Sequence, residues 1–247
     1  MVPYYIDIKK GLIIVEYEIF GGHLPAVTIK LEKGESIQTQ TGGLAWMTEN
    51  IEMNTNMKGG FFGALGRLFS GEDLFIATYT SRGLGQEITL SSDMPGEIRA
   101  FELDGTHGYV AQKGAFLGST TDVEIEAYVN NSFSAGLFGG EGFVLQHYSG
   151  NGTIWVELDG AIKELNLARG EKVIVSSSHV AVFEDSVGYE VRTVKGFKNI
   201  LFGGEGLFLT ELTGPGKVYL QTMTVAELAS RLIPFMPTPS STSSSSD

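Results

Sequence analysis

Apolar and polar residues alternate in short runs along most of the chain. In Ala26-Val27-Thr28-Ile29-Lys30-Leu31 and Thr153-Ile154-Trp155-Val156-Glu157-Leu158 successive side chains would fall on opposite faces, and Lys172-Val173-Ile174-Val175 is rich in β-branched residues. Such runs are the mark of strands packed into sheets. Glycine-centred turns separate them at intervals of about ten residues, the spacing of a sandwich, barrel or prism rather than of βαβ units. The most convincing helical pattern comes near the end. Thr224-Val225-Ala226-Glu227 has capping-box spacing, Leu228, Ala229, Leu232 and Ile233 follow, and Pro234 is expected to end the helix.

The runs also repeat. A turn glycine follows a strand ending in leucine at Leu31–Gly34, Leu103–Gly105 and Leu167–Gly170, and twelve residues beyond the glycines stand Trp46, Leu117 and Val182. A second shared word centres on Glu72, Glu141 and Glu205, which trail their glycines by 38, 36 and 35 residues (72 − 34, 141 − 105, 205 − 170). Agreement at several offsets predicts one all-β domain over 1–224 made of three repeats (24–92, 96–160 and 161–224), a short helix over 225–233 and a disordered Pro/Ser tail over 234–247. Units of this size are marginal alone, so they should share a core about a pseudo-threefold axis.

Composition sharpens the picture at three points. Glycine, at 33 of 247 residues, is about twice its usual share and fits many tight turns. There is no cysteine, which removes disulfides and thiolate chemistry. Lys+Arg 17 against Asp+Glu 29 gives 17 − 29 = −12, so no cationic patch is on hand for a phosphate backbone and nucleic acid is not an expected partner. The opening Met1–Asp7 has neither a basic nor a long apolar region, and no run of about 18 apolar residues occurs, so a cytoplasmic location is expected.

The words Gly42–Met47 (GGLAWM), Phe62–Glu72 (FGALGRLFSGE), Gly139–Phe143 and Gly203–Leu207 (GGEGF and GGEGL) resemble the altered-inheritance-of-mitochondria protein 24 family over roughly residues 2–224. The resemblance implies an all-β fold of the kind grouped with the tryptophan RNA-binding attenuation protein, a double-stranded β-helix or prism-like arrangement. It also implies a link, through the eukaryotic relatives, to mitochondrial biogenesis and inner-membrane organisation. It carries over no catalytic residues.

Two sets of residues invite a functional reading. Glu72, Glu141 and Glu205 occupy equivalent positions, where threefold symmetry could gather carboxylates around a hard cation; glycine N–H groups of their own loops are the simpler partners, so no metal site is assigned. The segments before them are apolar: Phe61, Phe62, Leu65 and Phe69 in the first, Leu137 and Phe138 in the second, Leu201 and Phe202 in the third. Gathered at one end, they would form a crown that buries against another subunit, plugs the end of the β-structure, or docks on a partner or lipid surface. Few cations flank them, so attraction to anionic lipid should be weak.

Catalytic words are missing. His23, His107, His147 and His179 show no i,i+4 pair. Ser178 and His179 would point to opposite faces of a strand, Asn151-Gly152-Thr153 reads as a hairpin turn, and Gly214–Lys217 lacks the spacing of a phosphate loop. The expectation is a non-enzymatic scaffold or interaction protein without a cofactor, forming homo-oligomers, with a cupin-like small-molecule or metal-binding enzyme as the alternative.

Overall fold

Val27, Ile29 and Leu31 are each fully buried while Thr28 and Lys30 between them are not, so the alternation in the sequence becomes one buried face of a strand. That strand, β2 (Ala26–Leu31), pairs with β1 (Tyr17–Phe20) on one side. The computed structural model describes residues 15–40, 42–54, 76–128, 145–193 and 208–236, and these are mostly strand, with one α-helix near the end. Phe61, Phe62, Leu65, Phe69, Leu137, Phe138, Leu201 and Phe202, together with Glu72, Glu141 and Glu205, lie outside the described residues.

The strand pairing recurs in three consecutive stretches. In the first, β3 (Ser36–Gln40), β4 (Leu44–Met47), β5 (Ile51–Asn54), β6 (Ile76–Ser81) and β7 (Gln86–Ser91) follow β2; β7 takes β2 and β4 as neighbours, and β6 takes β3 and β5. In the second come β8 (Gly96–Asp104), β9 (Tyr109–Gln112), β10 (Phe116–Thr120), β11 (Val123–Ala127) and the long β12 (Leu145–Asp159). The first part of β12 pairs with β9 and β11, and the second part with β8 and β10, so β12 does the work of β6 and β7 run together. The third stretch holds β13 (Ile162–Leu167), β14 (Lys172–Ser176), β15 (Val180–Glu184), β16 (Gly188–Thr193), β17 (Phe208–Thr213) and β18 (Gly216–Gln221). There β18 pairs with β13 and β15, and β17 with β14 and β16. Every pair is antiparallel, and β4, β10 and β15 each carry a bulge at the same place, between Leu44 and Trp46, Phe116 and Gly118, and Val180 and Val182. Among the described residues no closed barrel results, and the strands divide among a four-stranded, an eleven-stranded and a three-stranded sheet.

Two further pairings stitch the stretches together, β3 to β10 and β9 to β15. The buried side chains follow suit. One cluster joins Val27, Ile29, Leu31, Ile88 and Leu90 to Leu117 and Trp155 of the second stretch. Another joins Phe101, Phe116 and Ile154 to Val182 and Tyr219 of the third, and the last joins Phe183, Leu212 and Val218 to Val110 and Leu145 of the second. Trp155, fully buried, is met edge-on by Tyr17 at 5.7 Å between ring centroids. Shared packing of this kind makes each stretch depend on its neighbour.

Three local expectations are corrected. Asn151-Gly152-Thr153 is not a hairpin turn but the middle of β12. The chain distorts there without turning: Gly152 has φ +135°, and a Cβ on it would sit 2.0 Å from Thr120 Oγ1. Ser177–His179 form a 3-10 turn, not a strand, so the opposite-face argument against Ser178 and His179 does not apply. Strand pairing aligns Trp46 with Gly118 and Val182, one residue beyond Leu117, because the second stretch has a shorter first turn. Helix α1 (Val225–Leu232) begins as expected, with Glu227 N donating to Thr224 Oγ1 at 3.1 Å, and ends at Ile233 just before Pro234, which lies in a following 3-10 turn over Ile233–Phe235.

Candidate functional site

The segments carrying the predicted apolar residues and glutamates leave and re-enter the fold at matching places. Each joins two strands that lie side by side: β5 to β6, where Asn54 faces Thr78; β11 to β12, where Ala127 faces Gln146; and β16 to β17, where Thr193 faces Phe208. Each segment is thus anchored at the end of a hairpin, which holds its two ends close.

Among the described residues no group of three His, Asp or Glu side chains is placed to hold a metal ion. The histidines stand apart. His147 Nε2 lies 3.4 Å from Asp185 Oδ2, and that same oxygen accepts from Gly108 N at 2.8 Å, so Asp185 is mainly a loop-pinning carboxylate. His179 Nδ1 contacts the Gln221 carbonyl oxygen at 2.9 Å and its Nε2 lies 3.7 Å from Glu227 Oε1, which ties the 3-10 turn to α1. Both rings are engaged in local structure.

Two carboxylates are unusual. Glu211, with a side chain only 5% exposed, meets Lys172 Nζ at 2.7 Å and Arg192 Nη2 at 2.5 Å. The Lys172 hydrogen bond, reinforced by the Arg192 charge, holds its carboxyl below the usual range. Glu157 is the opposite case. It stands on β12 where the first two stretches meet, with Gln40 Nε2 donating to Oε1 at 3.4 Å. Burial pushes it up to about 7 against hydrogen bonds from Ser92 and Asp93, and the Asp93 and Asp159 charges push the same way as burial. Glu211 bridges β14 and β16 through Lys172 and Arg192, and Glu157 reaches Gln40 of β3.

An open cleft of about 500 Å³ runs between β1 and β8, lined by Tyr17, Ile19, Phe20, Ile98 and the pair Glu97 and Arg99. Arg99 Nη2 lies 2.6 Å from Glu97 Oε2, so the two charges answer each other rather than a ligand. What the described surface does offer is apolar strand. Trp46 is 57% exposed and Met47 38% on β4, and Ile174 is 55% exposed on β14. Phe20 leans on Trp46 with ring centroids 6.3 Å apart. Large apolar side chains in mid-strand belong inside a structure, and two strands that leave them outside mark contact surfaces. Sequence reasoning missed these surfaces. Trp46 was visible as a repeat position, but nothing in its neighbourhood distinguishes an uncovered strand from the covered β10 and β15.

Residues 17–223 match the family described as mitochondrial biogenesis AIM24. An uncharacterised protein of Streptococcus pyogenes serotype M6 is 34% identical over 225 residues, covering 87% of this chain and 88% of its own length. A crystal structure of a Streptococcus pyogenes protein, determined in a structural-genomics programme, superposes with a TM-score of 0.73 at 28% identity, covering 90% of this chain and all of that one.

Proposed function

The chain belongs to the mitochondrial biogenesis AIM24 family, and from that premise we propose that it acts as a non-enzymatic, self-associating scaffold. Three β-modules, set about a pseudo-threefold axis in a prism-like arrangement, would form its body. The observation that carries this reading is the pair of apolar strands, β4 with Trp46 and Met47 and β14 with Ile174, which water solvates poorly and protein contacts would cover. The apolar segments around Phe62, Phe138 and Phe202 would supply a second docking surface, for a protein partner in preference to a lipid surface. Among the described residues no helix is long and apolar enough to cross a membrane. In this reading a supporting part in membrane organisation is played at the membrane surface from the cytoplasm. With −12 net charge, nucleic acid is not among the proposed partners.

Light scattering coupled to size exclusion, run with and without lipid vesicles, tests the reading. A defined oligomer that does not bind the vesicles is the expected result. A chain that stays monomeric at all concentrations contradicts it.

A further inference from the structure

The rule that joins one stretch to the next can be read from the two junctions the chain contains. At the first, β3 pairs with β10, with Thr39 opposite Gly118, Gln38 opposite Ser119 and Ile37 opposite Thr120. At the second, β9 pairs with β15, with Ala111 opposite Val182, Val110 opposite Phe183 and Tyr109 opposite Glu184. In both, the second strand of one stretch meets the third strand of the next, in the same register counted from the bulge.

Applied once more, the rule needs two strands that the chain itself leaves over. β14 is the second strand of the last stretch and, among the described residues, pairs only with β17; β4 is the third strand of the first and pairs only with β7. Among the described residues each is an open edge. We propose that β14 of one copy pairs antiparallel with β4 of a second copy, head to tail, with Trp46 opposite Val175, Met47 opposite Ile174 and Thr48 opposite Val173. This rests on the self-associating reading above and gives it an interface.

Three observations single out a second copy as the occupant. The first is burial. At the internal junctions the positions equivalent to Met47 and Ile174 are Ser119 and Phe183 on one side and Gln38 and Val110 on the other, and these are 0 to 9% exposed. On the open edges the same positions carry large apolar side chains, Met47 at 38% and Ile174 at 55% exposure. The second is matching. The first junction places polar against polar, with Gln38 Nε2 donating to Ser119 Oγ at 2.9 Å, and the second places apolar Val110 against apolar Phe183. The open edges again place like with like, Ile174 with Met47. The third is charge. One step past the second junction Asp185 N donates to the Gly108 carbonyl at 3.0 Å. The equivalent step across two copies sets acidic Glu49 opposite basic Lys172, a favourable cross-strand pair. Such a contact uses two different surfaces, so repeated addition gives a closed ring or an open filament according to the angle between copies.

The test uses the full chain and two variants that each block one edge. Met47→Asp spoils β4 and leaves β14 intact; Ile174→Asp does the reverse, and the two spoiled edges then oppose like charges. Each alone should be monomeric, its self-association weakened at least about a hundredfold by the charge placed in an apolar strand contact. Mixed, they should form a one-to-one dimer and stop, because the only intact edges left are one β14 and one β4. Unchanged thermal unfolding of each variant, expected because both side chains are exposed in the single chain, shows that folding is not the cause. A mixture that stays monomeric, or variants that assemble like the parent, overturns the proposal. If the variants assemble like the parent while Phe62→Ser, Phe138→Ser and Phe202→Ser together abolish assembly, the self-associating reading stands and this interface fails. A parent chain that never assembles removes both.

Discussion

Glu157 makes the fold sensitive to pH in a direction that can be worked out. Its ordinary value is 4.5, and burial between Gln40, Ser92, Asp93 and Asp159 raises it to about 7 in the folded chain. An unfolded chain releases this proton near 4.5, whereas the native chain keeps it until about 7. Between those values the native state binds one more proton than the unfolded state, so stability falls as pH rises. The contribution is fully present below about 4.5, is lost progressively to about 7 and stays lost above. The gap corresponds to about 3 kcal/mol at most, or roughly 6–12 °C in Tm for a chain of this size. Burial raises Asp159 too, and it acts in the same sense.

Glu157→Gln puts an uncharged amide where the native state holds a protonated acid. Urea unfolding followed by the fluorescence of buried Trp155 at pH 5, 6, 7 and 8 measures the consequence. The parent should lose stability steadily across that range. The variant should be flatter, near the parent at pH 5 and up to about 3 kcal/mol more stable at pH 8. Parallel profiles for the two proteins would refute the assignment of the proton to Glu157.

Three more outcomes follow from packing and backbone geometry. Trp155→Ala should cost about 3–5 kcal/mol by emptying the largest fully buried site, and Trp155→Phe should cost less because it also removes an indole N–H with no partner; denaturant midpoints decide both. Gly152→Ala should destabilise by about 1–3 kcal/mol, since φ +135° and the 2.0 Å approach to Thr120 Oγ1 leave a side chain no place; a midpoint shift below a few tenths of a kcal/mol would contradict this. Phe62→Ser, Phe138→Ser and Phe202→Ser combined should leave Tm within a few degrees if the three side chains serve docking, whereas a fall of roughly ten degrees or more would make them core.

The all-β class and the start of α1 were legible because both rest on local pattern: alternation at Val27, Ile29 and Leu31, and the cap at Thr224. Asn151–Thr153 misled because glycine and asparagine spell a turn in isolation; only the partners β8 on one side and β11 on the other keep β12 running straight through. The 3-10 turn at Ser177–His179 was hidden for a related reason, since serine and histidine give no strong local preference and the hydrogen bonds that fix the turn come from Gln112 and Gln221, distant in sequence. The open edges were invisible for a simpler one. Trp46 and Met47 on β4 and Ile174 on β14 read as core residues of strands, and only the strand partners show that, among the described residues, β4 and β14 lack the cover that β10 and β9 have. The predicted apolar segments and Glu72, Glu141 and Glu205 lie outside the described residues.

A disulfide trap tests the proposed assembly most directly, and the chain, with no cysteine of its own, is well suited to it. Cα atoms directly opposite in an antiparallel pair lie about 4.5–5.5 Å apart, within reach of a disulfide. A chain carrying Met47→Cys is mixed with one carrying Ile174→Cys, oxidised gently, and run on a non-reducing gel. The β14–β4 register predicts a covalent dimer that forms only when both variants are present, and little or none when Val173→Cys replaces Ile174→Cys, because that side chain points to the opposite face of the strand. Equal cross-linking at 173 and 174, or none at either, would contradict it.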